Sequence, residues 1–134
     1  MWVIVLISMV YFHIFDDYYL QGVFANLKQR EWWSKNAPDE LYKNDYKMAL
    51  IEHGLSWSFT TMIPIMVFII YSQKFTPKIL ITYVVLLVVN TVVHAFIDDK
   101  KANEHTINLV LDQLLHLIQI LVTFIIFTIA GLFI

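Results

Sequence analysis

A chain of 134 residues that is 59% hydrophobic and 15% charged, with a mean hydropathy of +0.65, carries too little polar surface for an ordinary soluble domain. It reads as an integral membrane protein. A formal net charge of -2 gives no electrostatic case for a nucleic-acid partner, and the absence of cysteine excludes both disulfides and thiolate metal ligands.

A spanning helix needs about 20 mostly apolar residues. Four stretches approach or meet that, which predicts an all-α, integral membrane four-helix bundle with residues 1–134 as a single transmembrane domain. The first helix is expected at about 2–27, interrupted by Asp16 and Asp17; its opening stretch lacks a basic n-region and a small-x-small cleavage site, so it is read as a spanning segment rather than a secretory signal. An interfacial loop of about 26–46 follows, in which Trp32 and Trp33 beside Lys28, Arg30 and Lys35 have the make-up of a headgroup anchor. Within it, Pro38-Asp39-Glu40 looks like the first turn of a helix. The second helix is expected at about 47–71 with a kink at Pro64, the third at about 77–98 and the fourth at about 106–134.

Basic residues set the expected orientation. Loop one, counted to include Lys47, carries Lys28, Arg30, Lys35, Lys43 and Lys47, and loop three carries Lys100 and Lys101, whereas loop two offers only Lys74 and Lys78. The positive-inside rule then places loops one and three in the cytoplasm and both termini outside, in what would be a bacterial inner membrane.

One spacing recurs: His13-x-x-x-Asp17, His94-x-x-x-Asp98 and Asp112-x-x-x-His116. Residues four apart share a helix face, so each pair presents an imidazole beside a carboxylate. His13, Asp17 and His53 lie in the halves of their helices next to loop one, and His94, Asp98, Asp112 and His116 flank loop three, so all four helices contribute at one membrane face. The opposite halves, Val3 to Met9, Ile65 to Ile70, Val84 to Val89 and Ile120 to Phe133, carry no ionisable group. A charge within hydrocarbon costs at least about 2.5–3.5 kcal/mol, so such residues face the bundle interior and serve a function. Four imidazoles and three carboxylates suit one or two divalent ions: zinc first, with manganese, iron or nickel as alternatives. Gln21, Asn90 and Gln113 are candidates to fix the ligands from behind, and Lys101 could hold a phosphate or simply reach headgroups. His105 falls in loop three as a solvated residue, and Glu52 points about 100° away from His53 around its helix.

The ordered set His13-Ile-Phe-Asp-Asp17-Tyr-Tyr-Leu-Gln21, His53, His94-Ala-Phe-Ile-Asp98-Asp-Lys-Lys101 and Asp112-Gln113-Leu-Leu-His116 resembles the small bacterial and phage membrane proteins grouped as domain of unknown function 3307. The resemblance covers nearly the whole chain. That family is akin to proteins labelled membrane-bound metal-dependent hydrolases, and its pattern has a small or apolar residue where Asp16 stands. The spacing to Gln21 favours Asp17 as the ligand.

Three functions fit these residues. The first is a metal-dependent hydrolase acting at the cytoplasmic face on a lipid or other membrane-associated ester or phosphoester. The second is a metal-ion or proton channel or transporter, which requires polar access from both faces; the outer halves offer only groups such as Ser58, Thr60, Thr61, Thr123 and Thr128, so a through path would call for a homo-oligomer. The third is a non-enzymatic membrane adaptor whose metal holds short helices together. No Gly-rich phosphate loop or serine-nucleophile signature accompanies the constellation.

Overall fold

The structure, a computed structural model, describes residues 1–133, so the expected end of the last helix at Ile134 lies outside the described residues. Among the described residues there are helices and no strands. Helix α1 (Trp2–Phe15) runs without interruption into a π-helical segment, Asp16–Leu20; the short helices α2 (Phe24–Leu27) and α3 (Arg30–Asn36) and a 3-10 turn (Glu40–Tyr42) follow; and α4 (Asp45–Ser72), α5 (Pro77–Ala102) and α6 (Leu109–Ile129) complete the fold. Four segments, Trp2–Leu20, Glu40–Ser72, Pro77–Ala102 and Leu109–Ile129, are long and apolar enough to cross a membrane. The long helices neighbour one another in the closed order α1, α4, α5, α6 and back to α1.

The expected first helix of about 2–27 is corrected by the structure. It stops at Leu20, and the chain turns at Gly22, whose φ of +46 suits a residue without a Cβ, before α2 begins. The expected loop of about 26–46 is also partly helical: Asp39 Oδ1 accepts from Leu41 N at 2.9 Å to cap the 3-10 turn, in the place where Pro38-Asp39-Glu40 was read as a helix start. α5 runs four residues beyond Asp98, and α6 starts at Leu109, where Asn108 Oδ1 accepts from Leu111 N at 2.9 Å as N-cap. α4 is continuous through Pro64, which supplies no N–H to the helix ladder.

The outer faces of the bundle are apolar, and its buried polar residues point inward. α5 exposes Val84, Val85, Val88 and Val92 while it buries Asn90, Thr91, His94 and Asp98, and α6 exposes Leu114, Leu117, Ile118 and Leu121 while it buries Asp112, His116 and Gln119. In a bilayer, helices with such faces would associate through close packing and interior hydrogen bonds rather than by shedding water. Gly54 marks the closest approach: a Cβ built there would lie 2.6 Å from the Thr91 carbonyl oxygen, so α4 and α5 meet backbone to backbone.

Two apolar clusters bracket the interior. At the end away from the connection between α1 and α4, Val5, Met9, Met62, Ile65, Ile69, Leu86, Phe124 and Phe127 pack together beneath Trp57. At the other end, Tyr46, Leu50 and Ala95 form a small cluster roofed by Trp33. The ionisable residues lie between the two.

Candidate metal centre

Each long helix delivers its polar residues at the same level. His13 sits in the last turn of α1, Asp16 and Asp17 in the π segment, His53 in the third turn of α4, His94 and Asp98 near the end of α5, and Asp112 and His116 in the first turns of α6. All are buried, with His53, His94, Asp112 and His116 fully excluded from solvent.

The wide turn explains why two consecutive aspartates both point inward. In an α-helix, neighbouring residues are turned about 100° apart, but a π turn accommodates an extra residue, and the Gln21 N–H bonds the Asp16 carbonyl five residues back at 2.9 Å. Asp17 then faces His53 and His94, while Asp16 reaches α4, where Ser56 Oγ donates to its Oδ1 at 2.9 Å and its Oδ2 lies 3.8 Å from His53 Nδ1.

Two groups of three have ligand atoms mutually within 4.8 Å: Asp17, His53 and His94, and His94, Asp98 and His116. The individual separations tell what they are for. His53 Nε2 lies 3.6 Å from Asp17 Oδ1 and 3.4 Å from Asp98 Oδ2; His94 Nε2 lies 3.9 and 3.8 Å from the same two atoms; His116 Nε2 lies 3.4 Å from Asp98 Oδ1 and 3.4 Å from Asp112 Oδ1. N–H···O hydrogen bonds run about 2.7–3.2 Å, so these contacts are too long to be good ones. The three at 3.4 Å match instead the roughly 3.3–3.5 Å between neighbouring ligands of a tetrahedral ion with bonds of about 2.0–2.1 Å, while the 3.6–3.9 Å separations of the Asp17 and His94 contacts are wider.

Both ring nitrogens of His53, His94 and His116, together with Asp112 Oδ1 and Asp16 Oδ2, have no hydrogen-bond partner among the described residues. Each buried, unsatisfied group costs about 1–3 kcal/mol, a concentration that ordinary packing does not offset. A cation would satisfy them. Charge points the same way: Lys28 Nζ pairs with Asp98 Oδ2 and Lys101 Nζ with Asp112 Oδ2, whereas buried Asp16 and Asp17 have no lysine or arginine partner among the described residues. The donor set of imidazole nitrogens and carboxylate oxygens fits a divalent first-row ion.

A directional hydrogen-bond chain lies behind the carboxylates. Trp57 Nε1 donates to His13 Nδ1 at 2.8 Å, and because indole only donates, the His13 proton sits on Nε2, 3.2 Å from Gln113 Oε1. Gln113 Nε2 in turn donates to Asp17 Oδ2 at 3.2 Å and Asp112 Oδ2 at 3.1 Å. Trp57 also stacks on His94, with ring centroids 4.4 Å apart, and His94 on His116 at 4.2 Å, which fixes the imidazole planes.

The structure therefore brings His13, Asp17, His53, His94, Asp98, Asp112 and His116 together, but it separates one from the rest. His13 has both nitrogens engaged and stands as the head of the orienting chain rather than as an open ligand. Gln113 lies where a group fixing the ligands from behind belongs. Gln21 does not contact a histidine; its amide donates to the Asp17 backbone carbonyl. Asn90 belongs to a separate knot, donating to Thr123 Oγ1 at 2.9 Å and accepting from Gln119 Nε2 at 3.0 Å. Lys101 Nζ is 2.6 Å from Asp112 Oδ2.

Three contributors carry no signal in spacing. Asp16 was passed over when the spacing to Gln21 favoured Asp17; Trp57 is 44 residues from His13; and Lys28, whose Nζ lies 2.5 Å from Asp98 Oδ2, is 70 residues from its partner. A second lysine close to the motifs, in a loop already rich in bases, is the one hint the sequence holds.

A cavity of about 360 Å³ opens at this end of the bundle, with Asp98 as its one carboxylate and Lys28, Lys101, Gln21 and His105 around it. A second groove of about 410 Å³, between α1 and α4 near Ile4, Pro64 and Tyr71, is lined by apolar side chains and lies away from the ionisable cluster.

Comparison with family models, with curated proteins and with solved structures returned no match.

Proposed function

We propose that the protein is an integral membrane hydrolase in which Asp17, His53, His94, Asp98, Asp112 and His116 hold one or two divalent ions, zinc first, and which cleaves an ester or phosphoester of a lipid or membrane-associated substrate. The observation that carries this reading is one-sided access. The constellation meets a polar cavity through Asp98, whereas Trp57, Met62, Ile65 and Phe127 close the interior on its other side. A transporter needs a polar route through both halves; an enzyme needs a single door. The basic loops give the cavity a cytoplasmic aspect under the positive-inside rule, and the motif order that resembles domain of unknown function 3307 agrees with the same reading.

A divalent ion bound there would polarise the scissile carbonyl or phosphoryl oxygen and make water a stronger acid. Asp98 is the one carboxylate that the cavity reaches, with Lys28 Nζ 2.5 Å from its Oδ2, so among the candidate ligands it stands nearest an incoming substrate. Gln113 holds Asp17 and Asp112 in register, so that their other oxygens face the histidines. Trp57 packs against the rings of His13, His94 and His116 and joins them to the apolar cluster beyond.

Metal analysis of the purified protein, followed by assay against lipid and soluble esters and phosphoesters before and after chelation, tests the proposal. The expected result is about one or two equivalents of a transition metal and a hydrolysis that is lost on chelation and restored by metal. Less than about a tenth of an equivalent, with no gain on supplementation, would count decisively against it.

A further inference from the structure

Lys28 and Lys101 converge on one cavity from different elements, the C-terminal end of α2 and the last turn of α5. Lys101 is held at its tip by Asp112, and Lys28 is fixed along its length. The Lys28 side chain is only 13% exposed, and its backbone is strapped to the end of α5: Asn103 Nδ2 donates to the Lys28 carbonyl at 3.0 Å, and Arg30 N donates to Asn103 Oδ1 at 2.6 Å. On the far rim His105 is held at a φ of +54, a conformation that costs free energy in a residue with a Cβ.

Each lysine grips a carboxylate that is also a candidate ligand, Asp98 for Lys28 and Asp112 for Lys101. A cation against those carboxylates competes for the same negative charge and loosens both ion pairs. Each divalent ion held there would add two positive charges beside Lys28 and Lys101 and draw Asp98 and Asp112 away from them. The cavity then presents two ammonium groups, each able to donate up to three hydrogen bonds, with Asp98 its one acid. A neutral ester answers neither ammonium and a carboxylate answers one. A phosphate monoester, dianionic and with three terminal oxygens, answers both and still offers an oxygen to the centre.

We infer that Lys28 and Lys101 form a phosphate-binding mouth and that the substrate is a phosphomonoester, carried on a lipid headgroup or on a free small molecule; the inference rests on the hydrolase reading above and narrows it. As mere charge compensators, the lysines would not discriminate phosphate, and their removal would strengthen divalent-metal binding without altering phosphate affinity.

The test uses the full chain in phosphatidylcholine nanodiscs loaded with manganese, with metal content measured throughout. Inorganic phosphate is titrated and followed by the paramagnetic broadening of its phosphorus-31 resonance, which reports approach to the metal without any turnover. The expected result is saturable broadening in the millimolar range or tighter; Lys28→Ala and Lys101→Ala each weaken it about tenfold with manganese content unchanged, and Lys28→Arg keeps most of it. In a second arm, phosphatidic acid replaces part of the phosphatidylcholine: competition with inorganic phosphate identifies a lipid headgroup as the source, and its absence a soluble phosphomonoester. Loaded protein that gives no broadening up to about 10 mM phosphate, or alanine variants with unchanged affinity, overturns this inference and leaves the metal-dependent reading standing. Failure to load any divalent metal overturns both.

Discussion

The two halves of the bundle are built on opposite principles. In the half away from the connection between α1 and α4, Met9, Met62, Ile65, Phe124 and Phe127 interlock beside a hydrogen-bonded knot of Asn90, Thr123 and Gln119 that holds no ionisable group. In the other half the interior is filled by imidazoles and carboxylates, three of whose rings have no hydrogen-bond partner among the described residues. The first region meets most of its needs within the chain, and the second gathers nitrogen and oxygen atoms that a cation could satisfy.

That contrast breaks first at the ligands. His94→Ala removes the imidazole that both ligand groups share, and metal content is expected to fall by at least about 100-fold, while thermal stability of the metal-free protein stays level or rises as one orphaned ring disappears. A large loss of apo stability would mean the polar half supports the fold after all. Phe127→Ala, in the apolar half, should do the reverse: a loss of about 3–5 kcal/mol in unfolding free energy, read by denaturant titration in micelles, with metal stoichiometry intact.

Smaller effects sharpen the picture. Asp16→Asn removes the carboxylate poised 3.8 Å from His53 Nδ1 and should weaken metal binding by about 10- to 100-fold without touching a ligand. An Asp16→Asn protein with unaltered affinity, measured by competition with a chelator of known strength, would reduce Asp16 to a partner of Ser56. The smallest expected change is for Asn90→Leu, which unties α5 from α6 at Thr123 and Gln119. Each such interhelical bond within a membrane averages about 0.6 kcal/mol, so a shift of roughly 1 kcal/mol with full metal content is expected.

Long apolar runs and i, i+4 pairs are legible because helices repeat, and those signals were enough to anticipate four long helices and to nominate the seven residues that the structure gathers. Periodic reading fails where the period itself changes. The π turn at Asp16–Leu20 brings in an aspartate that a 3.6-residue register turns away, and the φ of Gly22 ends a helix that apolar content alone would carry to Leu27. Contacts between distant segments leave no periodic mark. Trp57 occupies His13, Lys28 reaches Asp98, and Asn90 turns from the histidines to Gln119, each decided by packing between helices. The connection at 26–46 was anticipated as an anchor, yet it also contains the strap that carries Lys28 over the cavity.

Gly54 has a consequence beyond packing. His53 precedes it and His94 lies three residues beyond Thr91, the residue whose carbonyl would collide with any methyl group placed there. The gauge of the cage is thus cut by an atom that is not there. Whatever ion enters meets walls whose spacing belongs to the main chain and cannot relax by a rotamer change, so discrimination by ionic radius would be inherited from the glycine rather than from the histidines themselves.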